Sequence, residues 1–467
     1  MRAPVPDVPA AEGVTVIFAM LFIGYCNLHC LSRVISYRGY PWGRVSKGKS
    51  EMSNHVIDES KRCLQCRNPR CRTGCPVNTN IPEAIRLLRE SKIDEAGEML
   101  FENNPLSLVC SFVCPQEMQC EGHCVLGIKG MPVQFSIIEN YISDYYLNLL
   151  SVREVNIEKN GMKAAVIGTG PAGITIAFIL AKKGYEITMY EGNDKVGGVM
   201  RYGIPEFRLP KSVLDRLRKA LEAYGVKIRP NTNIGTNLTV DDLFRDGFKS
   251  VFIGTGVWRP YRLNLPGESL GHVHYAIDYL RNPDVYELGK SVVVIGGGNT
   301  AMDVARTVIR HGCRDVTLVF NRGEEYLTAT KSEIEFTKAD GARFLYFKST
   351  TGFTDDGVLV KDCQDDENGY PQEIEGTESL LECDSAIIAI GQGPRSVIVS
   401  STKGIDVNSR GLVAVDESGR TTREGVFASG DVVTGAKTVV AAVKVSKRVA
   451  EAMDQYMRGT DSGAQNT

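Results

Sequence analysis

The chain has 467 residues, a length that accommodates about three domains of ordinary size. Its 54 Lys and Arg residues are balanced by 56 Asp and Glu residues, and the net charge of −2 provides no positive field for nucleic acid or an anionic membrane. The composition therefore predicts neither a nucleic-acid partner nor a membrane partner, and 13 cysteines are too sparse for a small disulfide scaffold.

The first 51 residues are set apart from the patterns that follow them. Residues 13–25 are apolar, but this run is shorter than the roughly 20 residues that cross a bilayer. A membrane anchor, an amphipathic or disordered extension and a start codon assigned too early are the alternatives, and we expect Met52 to be the natural start. No export signal of standard form precedes the cysteines, which predicts a reducing, cytoplasmic location.

Residues 52–155 are predicted to form a helical, metal-binding domain. Apolar residues recur at helical spacing in residues 81–100 and 134–150, and eight of the 13 cysteines fall in two strings, one before the first run and one between the two runs. Zinc is one reading of such strings, but the spacing C-x2-C-x4-C-x3-C-P is close to the ferredoxin run, whose last cysteine binds the other cluster. We therefore predict two [4Fe-4S] clusters. The strings are Cys63, Cys66, Cys71 and Cys75, then Cys110, Cys114, Cys120 and Cys124.

Beyond a polar linker at residues 151–161, short apolar strands alternate with helices, which predicts α/β domains with parallel sheets. Residues 164–191 and 292–320 share one layout of strand, glycine turn, helix and strand, so two dinucleotide sites are expected, the second inserted into the first. The predicted domains are an FAD-binding domain (156–290 and 392–457), an NAD(P)-binding domain (291–391) and a polar tail (458–467). The predicted strands are 163–168, 186–191, 250–256, 291–297, 315–320, 385–391 and 425–431.

The first glycine turn, GTGPAG at residues 168–173, follows a strand and opens a helix. Gly168, Gly170 and Gly173 can make the tight turn that brings a pyrophosphate to a helix N-terminus. Glu191 lies about 20 residues further on, at the end of the next strand, where a carboxylate accepts hydrogen bonds from ribose hydroxyls. This combination predicts a dinucleotide site.

The second glycine turn, GGGNTA at residues 296–301, repeats that context with an alanine in place of the third glycine. After the next strand, Arg322 stands where the first unit has Glu191, and a guanidinium suits the 2′-phosphate of NADP. NADPH is therefore predicted over NADH, although Glu324 and Glu325 leave a plain surface charge as the alternative for Arg322. The expected nucleotide-binding residues of the turn are Gly296, Gly298, Asn299, Thr300 and Ala301.

No C-x2-C or C-x4-C pair lies in the first α/β unit, where disulfide reductases keep their redox cysteines. A flavin there must pass its electrons elsewhere. Because a hydride delivers two electrons and a cluster accepts one, an FAD between NADPH and the clusters would divide the pair.

These motifs, together with CPVNTNIPE, CPQEMQCEGHC, GGVMRYGIPEFRLP and FASGDVVTGAKTVVAAV, resemble the glutamate synthase small subunit family. That family includes the large subunit of bifurcating NADH-dependent ferredoxin:NADP oxidoreductase and the N-terminal part of dihydropyrimidine dehydrogenase. The resemblance covers residues 55–457. It implies a helical two-cluster domain followed by nested FAD- and NAD(P)-binding Rossmann-like domains.

The resemblance also implies two ligand sets for the clusters. One cluster would be held by Cys63, Cys66, Cys71 and Cys124. The other would be held by Cys75, Cys114, Cys120 and Glu139. Cys110 would then be a non-ligand beside the second cluster. Spacing alone does not decide between Cys110 and Glu139.

Around FAD, the resemblance implies further residues. The segment 202–210 would shape the flavin edge and its route to a cluster. The sequence departs from the family at Asn321, where NADP-binding members commonly carry a second arginine, and in residues 324–333, where a Met-Pro pair is usual; Lys331 is a candidate phosphate partner in compensation. The residues implied around FAD are Gly168, Gly170, Gly173, Glu191, Gly198, Arg201, Gly430, Asp431 and Thr438.

By this resemblance the protein is an NADPH-oxidising electron-transfer subunit that needs no catalytic acid, base or nucleophile. The acceptor must be a partner subunit, since no glutamine amidotransferase, FMN barrel or pyrimidine site fits in the chain. A glutamate-synthase-type large subunit is the leading expectation. A bifurcating transhydrogenase component, a dihydropyrimidine dehydrogenase or sulfur reductase component, and an iron-sulfur scaffold without turnover are the alternatives.

Overall fold

The computed structural model describes residues 51–153 and 155–459, with side chains from residue 54 onward. The described residues from Met52 onward belong to one compact unit. Within the described ranges, no helix combines the length and apolar character that crossing a bilayer requires. The extension that the sequence analysis set apart lies outside the described residues, except for its last residue.

Six helices and two short 3-10 turns form the N-terminal part. The run predicted as helical over residues 81–100 is two helices, because Ser91 adopts a left-handed conformation (φ of 61°) between them. The long helix α6 packs against α4 and α5 and buries Ile138 and Ile142. The helices are α1 (Glu51–Lys61), α2 (Arg70–Gly74), α3 (Ile81–Arg89), α4 (Ile93–Asn103), α5 (Ser107–Val113) and α6 (Phe135–Val152), and the turns are Gln116–Met118 and Val125–Ile128.

The first α/β unit begins at Lys163 and its strands β1, β2 and β4 fall where the sequence predicted strands. Its elements are β1 (Lys163–Ile167), α7 (Pro171–Lys182), β2 (Glu186–Tyr190), α8 (Val199–Tyr202), α9 (Lys211–Ala223), β3 (Lys227–Arg229), α10 (Val240–Arg245), β4 (Ser250–Ile253) and β5 (Arg259–Pro260).

The second α/β unit repeats the strand, turn and helix order and adds an antiparallel sheet that the sequence analysis did not predict. Its elements are β6 (Val273–Tyr275), α11 (Ala276–Arg281), β7 (Ser291–Ile295), α12 (Asn299–Arg310), β8 (Asp315–Val319), α13 (Lys331–Ala339), β9 (Arg343–Leu345), β10 (Lys348–Thr354), β11 (Gly357–Asp365), β12 (Pro371–Glu373), β13 (Ser379–Glu382) and β14 (Ser385–Ile388). Two 3-10 turns, Pro283–Val285 and Glu324–Tyr326, accompany them.

The chain then returns to the first unit through β15 (Gln392–Gly393), α14 (Val397–Ser401), β16 (Val426–Ala428), α15 (Asp431–Thr434) and α16 (Val439–Met457). Strand β16 joins the edge of the first parallel sheet, whose order is β16-β4-β1-β2-β3, and α16 packs against α7. The second parallel sheet has the order β6-β14-β7-β8-β9. The second unit is therefore inserted into the first, as the sequence indicated.

The register of the two parallel sheets fixes which residues leave each sheet at the same edge. In the first sheet, Ile167 pairs with Tyr190 on one side and with Ile253 on the other. In the second, Ile295 pairs with Val319 and with Ile388. Each glycine turn therefore emerges at the carboxyl edge of its sheet, which is where open α/β sheets bind ligands.

The helical part is docked on the first sheet by a shared apolar core. Phe101 of α4 meets Phe178 of α7 edge-on, with ring centroids 5.1 Å apart. Polar contacts flank this core, since Arg216 Nη2 lies 2.7 Å from Asp144 Oδ1 and Lys447 Nζ donates to Asn103 O at 2.7 Å. A second core, which includes Ile85, Leu100 and Ile138, lies within the helical part itself.

Candidate functional site

The first glycine turn joins β1 to α7 and has no room for side chains where strand and helix approach. Gly168 has a φ of 98°, and a Cβ there would lie 2.5 Å from Gly254 O; a Cβ on Gly173 would lie 2.0 Å from Gly168 O. Gly170 caps α7, and a Cβ added to it would have nothing within 4 Å. Open space in front of the N-terminus of a 12-residue helix fits a pyrophosphate group.

Glu191 lies beside this turn, as the motif predicted, but its carboxylate is already hydrogen-bonded. One oxygen accepts from Thr169 N at 3.1 Å and from Thr169 Oγ1 at 2.5 Å. The other accepts from Asn193 N at 2.9 Å and Asn193 Nδ2 at 2.8 Å. A ribose hydroxyl would have to take the place of one of the two side-chain donors, Thr169 Oγ1 or Asn193 Nδ2.

Gly198 and Gly430, which are distant from the first glycine turn in sequence, lie close to the N-terminus of α7. Gly198 has a φ of 51°, and a Cβ there would lie 2.8 Å from Gly170 Cα. Gly430 has a φ of 76°, and its Cβ would lie 3.0 Å from the Cβ of Ala172. The structure thus brings together three segments that are far apart in sequence, around one crevice at the carboxyl edge of the first sheet.

Asp431 and Thr438 follow Gly430 at that crevice. Burial raises the pKa of the Asp431 carboxyl to about 6, and its Oδ1 accepts from Lys437 N at 3.1 Å. Thr438 caps α16, because its hydroxyl accepts from Ala441 N.

Arg201 lies in the same part of the fold, with its guanidinium held by protein groups. Its Nε donates to Val196 O at 2.8 Å, and its Nη2 lies 2.5 Å from Asp215 Oδ1. Arg201 therefore braces the loop that carries Gly198.

The second glycine turn has the same construction at the second sheet. Gly296 has a φ of 141°, and a Cβ there would lie 2.5 Å from Ala389 O. Gly298 caps α12, and Asn299 Oδ1 accepts from Thr330 N at 3.0 Å. Thr300 is half-buried and Ala301 is fully buried, which allows the helix to pack closely on the strand.

Arg322 leaves the sheet after β8, near the second glycine turn. Its guanidinium carbon lies 3.4 Å from the centroid of the Tyr326 ring, and its Nη2 donates to Gly369 O. Its Nε lies 3.7 Å from Asp365 Oδ1. The antiparallel sheet that sequence reasoning missed thus supplies protein partners to the residue predicted to bind the 2′-phosphate.

Lys331 is exposed at the first position of α13. Its backbone N donates to Glu117 Oε1 at 2.7 Å, so a loop of the helical domain reaches the NAD(P)-binding unit here. Nothing in the sequence pattern pointed to Glu117.

The cysteines separate into two groups in space, and the division does not follow the two strings. Cys63 and Cys71 each interact electrostatically with Cys66 and Cys124, and these four side chains line one cavity together with Cys120. Burial raises the pKa of the Cys71 thiol to about 11. Cys124, the last member of the second string, therefore lies with the first three cysteines.

The second group comprises Cys75, Cys110, Cys114, Cys120 and Glu139. Cys114 shares a hydrogen bond with Cys110, which raises the pKa of the Cys114 thiol, and both Cys114 and Cys120 interact with Glu139. Glu139 is buried on α6, and burial raises the pKa of its carboxyl well above the usual range. A buried carboxyl beside thiols fits a cluster ligand, because iron would compensate the charge that burial disfavours.

Two polar side chains that sequence reasoning missed complete this second group. Asn104 Nδ2 lies 3.2 Å from Cys110 Sγ, and Cys75 Sγ lies 3.3 Å from Thr79 Oγ1. Both polar residues are buried. Among the residues described, no three Cys, His, Asp or Glu side chains are arranged to hold a single metal ion; the cysteines surround space instead of converging on one point.

The two groups differ in their distance from the first α/β unit. Cys75, Cys110 and Cys114 belong to the core that the helical domain shares with the first sheet, and Cys75 also interacts with Lys447 of α16. Cys63, Cys71 and Cys124 pack on the separate core of the helical domain, to which Cys120 of the second group also belongs. Cys75, Cys110 and Cys114 therefore lie on the side of the first α/β unit, whereas Cys120 borders both groups.

A buried ionic network joins the segment 202–210 to the NAD(P)-binding unit. Arg208 Nη1 lies 2.8 Å from Asp303 Oδ2, and Arg208 Nε lies 3.0 Å from Glu333 Oε1. Glu333 also binds Arg306 Nη1 at 2.5 Å, and the Arg306 guanidinium stacks over the Phe207 ring. Burial raises the pKa of Asp303 to about 6 despite the nearby arginines. No motif in the sequence predicted this network.

Lys211 also stabilises the segment 202–210. Its amine donates to Met200 O at 2.9 Å and to Ile204 O, and burial lowers its pKa to about 8. Lys211 therefore fixes the turn that the resemblance places at the flavin edge.

Comparison with known protein families gives two matches that together cover most of the chain. The family described as pyridine nucleotide-disulphide oxidoreductase matches residues 162–446. The family described as dihydropyrimidine dehydrogenase domain II, 4Fe-4S cluster, matches residues 43–149. The cysteines in the first of these regions are Cys313, Cys363 and Cys383, which are all free and far apart in sequence, so no disulfide redox pair is present there.

The chain is also similar to individual proteins. It is 33% identical over 426 residues to the glutamate synthase [NADPH] small chain of Halomonas elongata, covering 85% of this chain and 90% of that one. It is 30% identical to the same small chain of Escherichia coli, covering 85% and 91%. Its fold resembles that of FprA from Mycobacterium tuberculosis, with a TM-score of 0.56 at 17% identity over 66% of this chain and 87% of that chain.

Proposed function

The chain belongs to the glutamate synthase small-chain family, and on that premise we propose that it is the NADPH-oxidising electron-input subunit of a glutamate-synthase-type complex. It is an NADPH-dependent oxidoreductase whose cofactors are FAD, NADPH and [4Fe-4S] clusters. When bound, FAD takes a hydride from NADPH and the clusters carry single electrons onward. The protein's own groups bind, orient and insulate these cofactors.

For FAD, we assign the crevice at the carboxyl edge of the first sheet. The free N–H groups at the start of α7 would bind the pyrophosphate, with Gly170 leaving the approach open. Glu191 would accept a hydrogen bond from a ribose hydroxyl once one of its side-chain donors moves aside. Asp431 would accept a hydrogen bond from a hydroxyl of the ribityl chain of FAD. Gly198 and Gly430 allow their loops to approach this helix N-terminus closely from the other side.

For NADPH, we assign the turn that begins with Gly296 and the start of α12. Arg322 is the proposed 2′-phosphate ligand, with Lys331 as a second cationic partner. Tyr326 stacks on one face of the Arg322 guanidinium, and a nucleotide phosphate would bind from the opposite side.

For the clusters, we assign Cys63, Cys66, Cys71 and Cys124 to one and Cys75, Cys114, Cys120 and Glu139 to the other. Cys110 and Asn104 would contact the second cluster without binding iron. The cluster on the FAD side would receive electrons first, and the cluster beside Cys63 would pass them to the partner subunit.

The observation that carries this proposal is the partition of the ligands. Cys75 and Cys114 of one group lie at the core shared with the first α/β unit, the other group lies in a separate, half-exposed part of the helical domain, and Cys120 borders both groups. This arrangement offers a two-step route from the nucleotide-binding part of the protein to its surface.

The first experiment mixes anaerobic holoprotein with NADPH in a stopped-flow spectrometer. We expect the flavin absorbance to bleach, faster with NADPH than with NADH. A flavin that stays oxidised would refute the proposed oxidoreductase.

The second experiment combines the holoprotein with the glutamate synthase large chain of its own organism and follows glutamate formation from glutamine and 2-oxoglutarate. We expect NADPH-dependent glutamate in the complex, and Cys66→Ser should abolish it while NADPH still bleaches the flavin. Bleaching without glutamate formation by the wild-type complex would reject the partner and leave the NADPH oxidation intact.

A further inference from the structure

Large apolar side chains are exposed around the first cysteine group. Leu64, between two of its cysteines, is 62% exposed; Ile128 and Met131, just after Cys124, are 68% and 53% exposed. A folded protein normally keeps few such side chains in water at one place. Together with Arg67, Arg72 and Lys129, these residues define the surface that we call the cluster face.

The residues of the cluster face are neighbours because the loops that carry them fold around one cavity. Leu64, Val125 and Leu126 line the cavity together with the four cysteines. Arg62, next to Cys63, donates to Met131 O at 2.5 Å and to Pro132 O at 3.1 Å, which ties the two loops together. The apolar side chains therefore surround the first cysteine group instead of being scattered.

The cluster face is also positively charged, although the whole chain is not. No Asp or Glu occurs in residues 60–82 or 122–138, the two segments that carry this face. Arg67, Arg72 and Lys129 are exposed, and within the described residues none of them makes a salt bridge. A chain with a net charge of −2 thus concentrates unpaired cations around the group of cysteines nearest to water.

We propose that the cluster face is the docking surface for a one-electron protein with an acidic, partly apolar surface. This inference rests on the proposed function and adds the chemistry of the partner. Opposed charges would steer the partner to the face, and the apolar side chains would exclude water from the contact once it forms.

Charge argues against two other occupants of the cluster face. A second copy of the chain would bring one basic face against another, and like charges across an interface are unfavourable. Residues 1–50 contain six Lys and Arg residues but two Asp and Glu residues, so they carry the same sign as the face. An acidic partner is the occupant that the charges favour.

The probe is rubredoxin, a small acidic protein with one iron, and the opposite probe is the basic protein cytochrome c. In each case one electron leaves the protein and reduces ferric iron to ferrous iron. Two probe molecules are therefore reduced for each NADPH that is oxidised to NADP⁺ and a proton. The assay uses the full-length anaerobic holoprotein at low and high salt.

The test variant carries Arg67→Glu, Arg72→Glu and Lys129→Glu. The control carries Lys219→Glu, Lys249→Glu and Arg410→Glu, three exposed cations outside the cluster face, so both variants change net charge by the same amount. We expect the test variant to reduce rubredoxin about ten-fold more slowly at low salt and cytochrome c faster, while the control stays within about two-fold of wild type. Rising salt should slow the wild type with rubredoxin.

Equal rubredoxin rates in test and control variants would overturn the proposal, as would a wild-type preference for cytochrome c. Iron, sulfide and flavin contents are measured in each variant. If the test variant loses its clusters, the wild type tests the proposal instead: a rubredoxin rate that does not fall with rising salt would overturn it. Self-association that rubredoxin does not displace, or a gain of rubredoxin rate on removing residues 1–50, would assign the face to those occupants. Repeating the assay with holoprotein that dithionite has reduced beforehand, and from which excess dithionite has been removed, separates the docking result from any failure of NADPH oxidation.

Discussion

At the scale of single residues, the second cysteine group contains more potential ligands than one cluster needs. Cys75, Cys114 and Cys120 are accompanied by both Cys110 and Glu139. Cys110 already accepts a hydrogen bond from Asn104, whereas Glu139 presents a buried carboxyl to Cys114 and Cys120. Since burial disfavours the charged carboxylate, iron is the compensation that we propose for Glu139.

Glu139→Ala is therefore expected to shift or abolish the EPR signal of one cluster. A carboxylate is a harder donor than a thiolate, so its loss should change the potential of that cluster and slow electron delivery to the acceptor. NADPH should still bleach the flavin, because the FAD crevice is untouched. The matched variant is Cys110→Ala: if it removes a cluster signal while Glu139→Ala leaves both intact, Cys110 is the fourth ligand.

Asp431 predicts a pH dependence of FAD binding. Because burial raises its pKa to about 6, the carboxyl of the apoprotein is protonated below that pH and charged above it. If the charged form accepts a hydrogen bond from a flavin hydroxyl, FAD affinity should increase as the pH rises towards 6, by up to about ten-fold per pH unit. Above pH 6 the affinity should level off. Titrations of apoprotein with FAD between pH 5 and 7.5 measure this, with Asp431→Asn as the pH-independent control. Affinity that falls as pH rises would place a phosphate against Asp431.

Arg322 predicts the choice of nicotinamide nucleotide. Arg322→Glu should lower kcat/KM for NADPH relative to NADH by roughly 10-fold to 150-fold, the range for losing a charge-assisted pair of hydrogen bonds. The comparison variant Tyr326→Leu removes the ring beneath the guanidinium and keeps its charge, and we expect it to have a smaller effect. An unchanged ratio in Arg322→Glu would make this residue a structural partner of Gly369 and Asp365 only.

At the scale of elements, the segment 202–210 connects the two nucleotide-binding units. Lys211 anchors its turn through two backbone carbonyls, and Arg208 inserts between α12 and α13. Since α12 begins at the second glycine turn, the network links the NADPH site that we propose there to the segment beside the proposed FAD crevice. A route between these two proposed sites would thus depend on a buried ion pair between elements.

Arg208→Met should destabilise this junction strongly. It leaves Asp303 and Glu333 buried without one of their cations, which typically costs about 3–5 kcal/mol. The matched control is Arg218→Met, whose exposed pair with Glu222 is expected to contribute about 0–1 kcal/mol. Thermal unfolding of the anaerobic holoproteins, followed by flavin release, compares the two. Equal losses would show that the Arg208 network contributes no more than a surface pair.

At the scale of the whole molecule, the three binding regions that we propose lie in one compact unit. The shared core around Phe101 and Phe178 fixes the helical domain to the first sheet, and the Arg208 network fixes the second sheet to the first. Electron transfer between cofactors depends on their fixed separation, so this rigidity serves the proposed route.

The cofactor content of the whole molecule is the corresponding prediction. Protein purified without oxygen should contain about eight iron atoms and eight acid-labile sulfides per FAD, as two [4Fe-4S] clusters for one outer flavin site require. Iron, sulfide and flavin assays measure this directly. Tightly bound zinc with little sulfide would overturn the cluster assignment, and half of the expected iron would show that one ligand group is not used.

The fold class, the two glycine turns, the nested order of the units and the family could all be predicted from the sequence alone. These are local or ordered patterns: each of the seven predicted strands corresponds to an observed strand, because short apolar runs between glycines carry their own signal. The antiparallel sheet β10 to β13 was missed, since its strands are largely half-buried or exposed and lack a clear apolar alternation.

The contacts between distant residues, in contrast, became visible only in the folded chain. It placed Cys124 with Cys63, and Gly430 with Ala172, and it revealed Arg208 between Asp303 and Glu333. The resemblance had implied the first of these groupings, but spacing alone could not choose it. The physical reason is that spacing along a chain constrains only near neighbours, whereas a binding site is completed by whatever the packing of helices and sheets brings to the same edge.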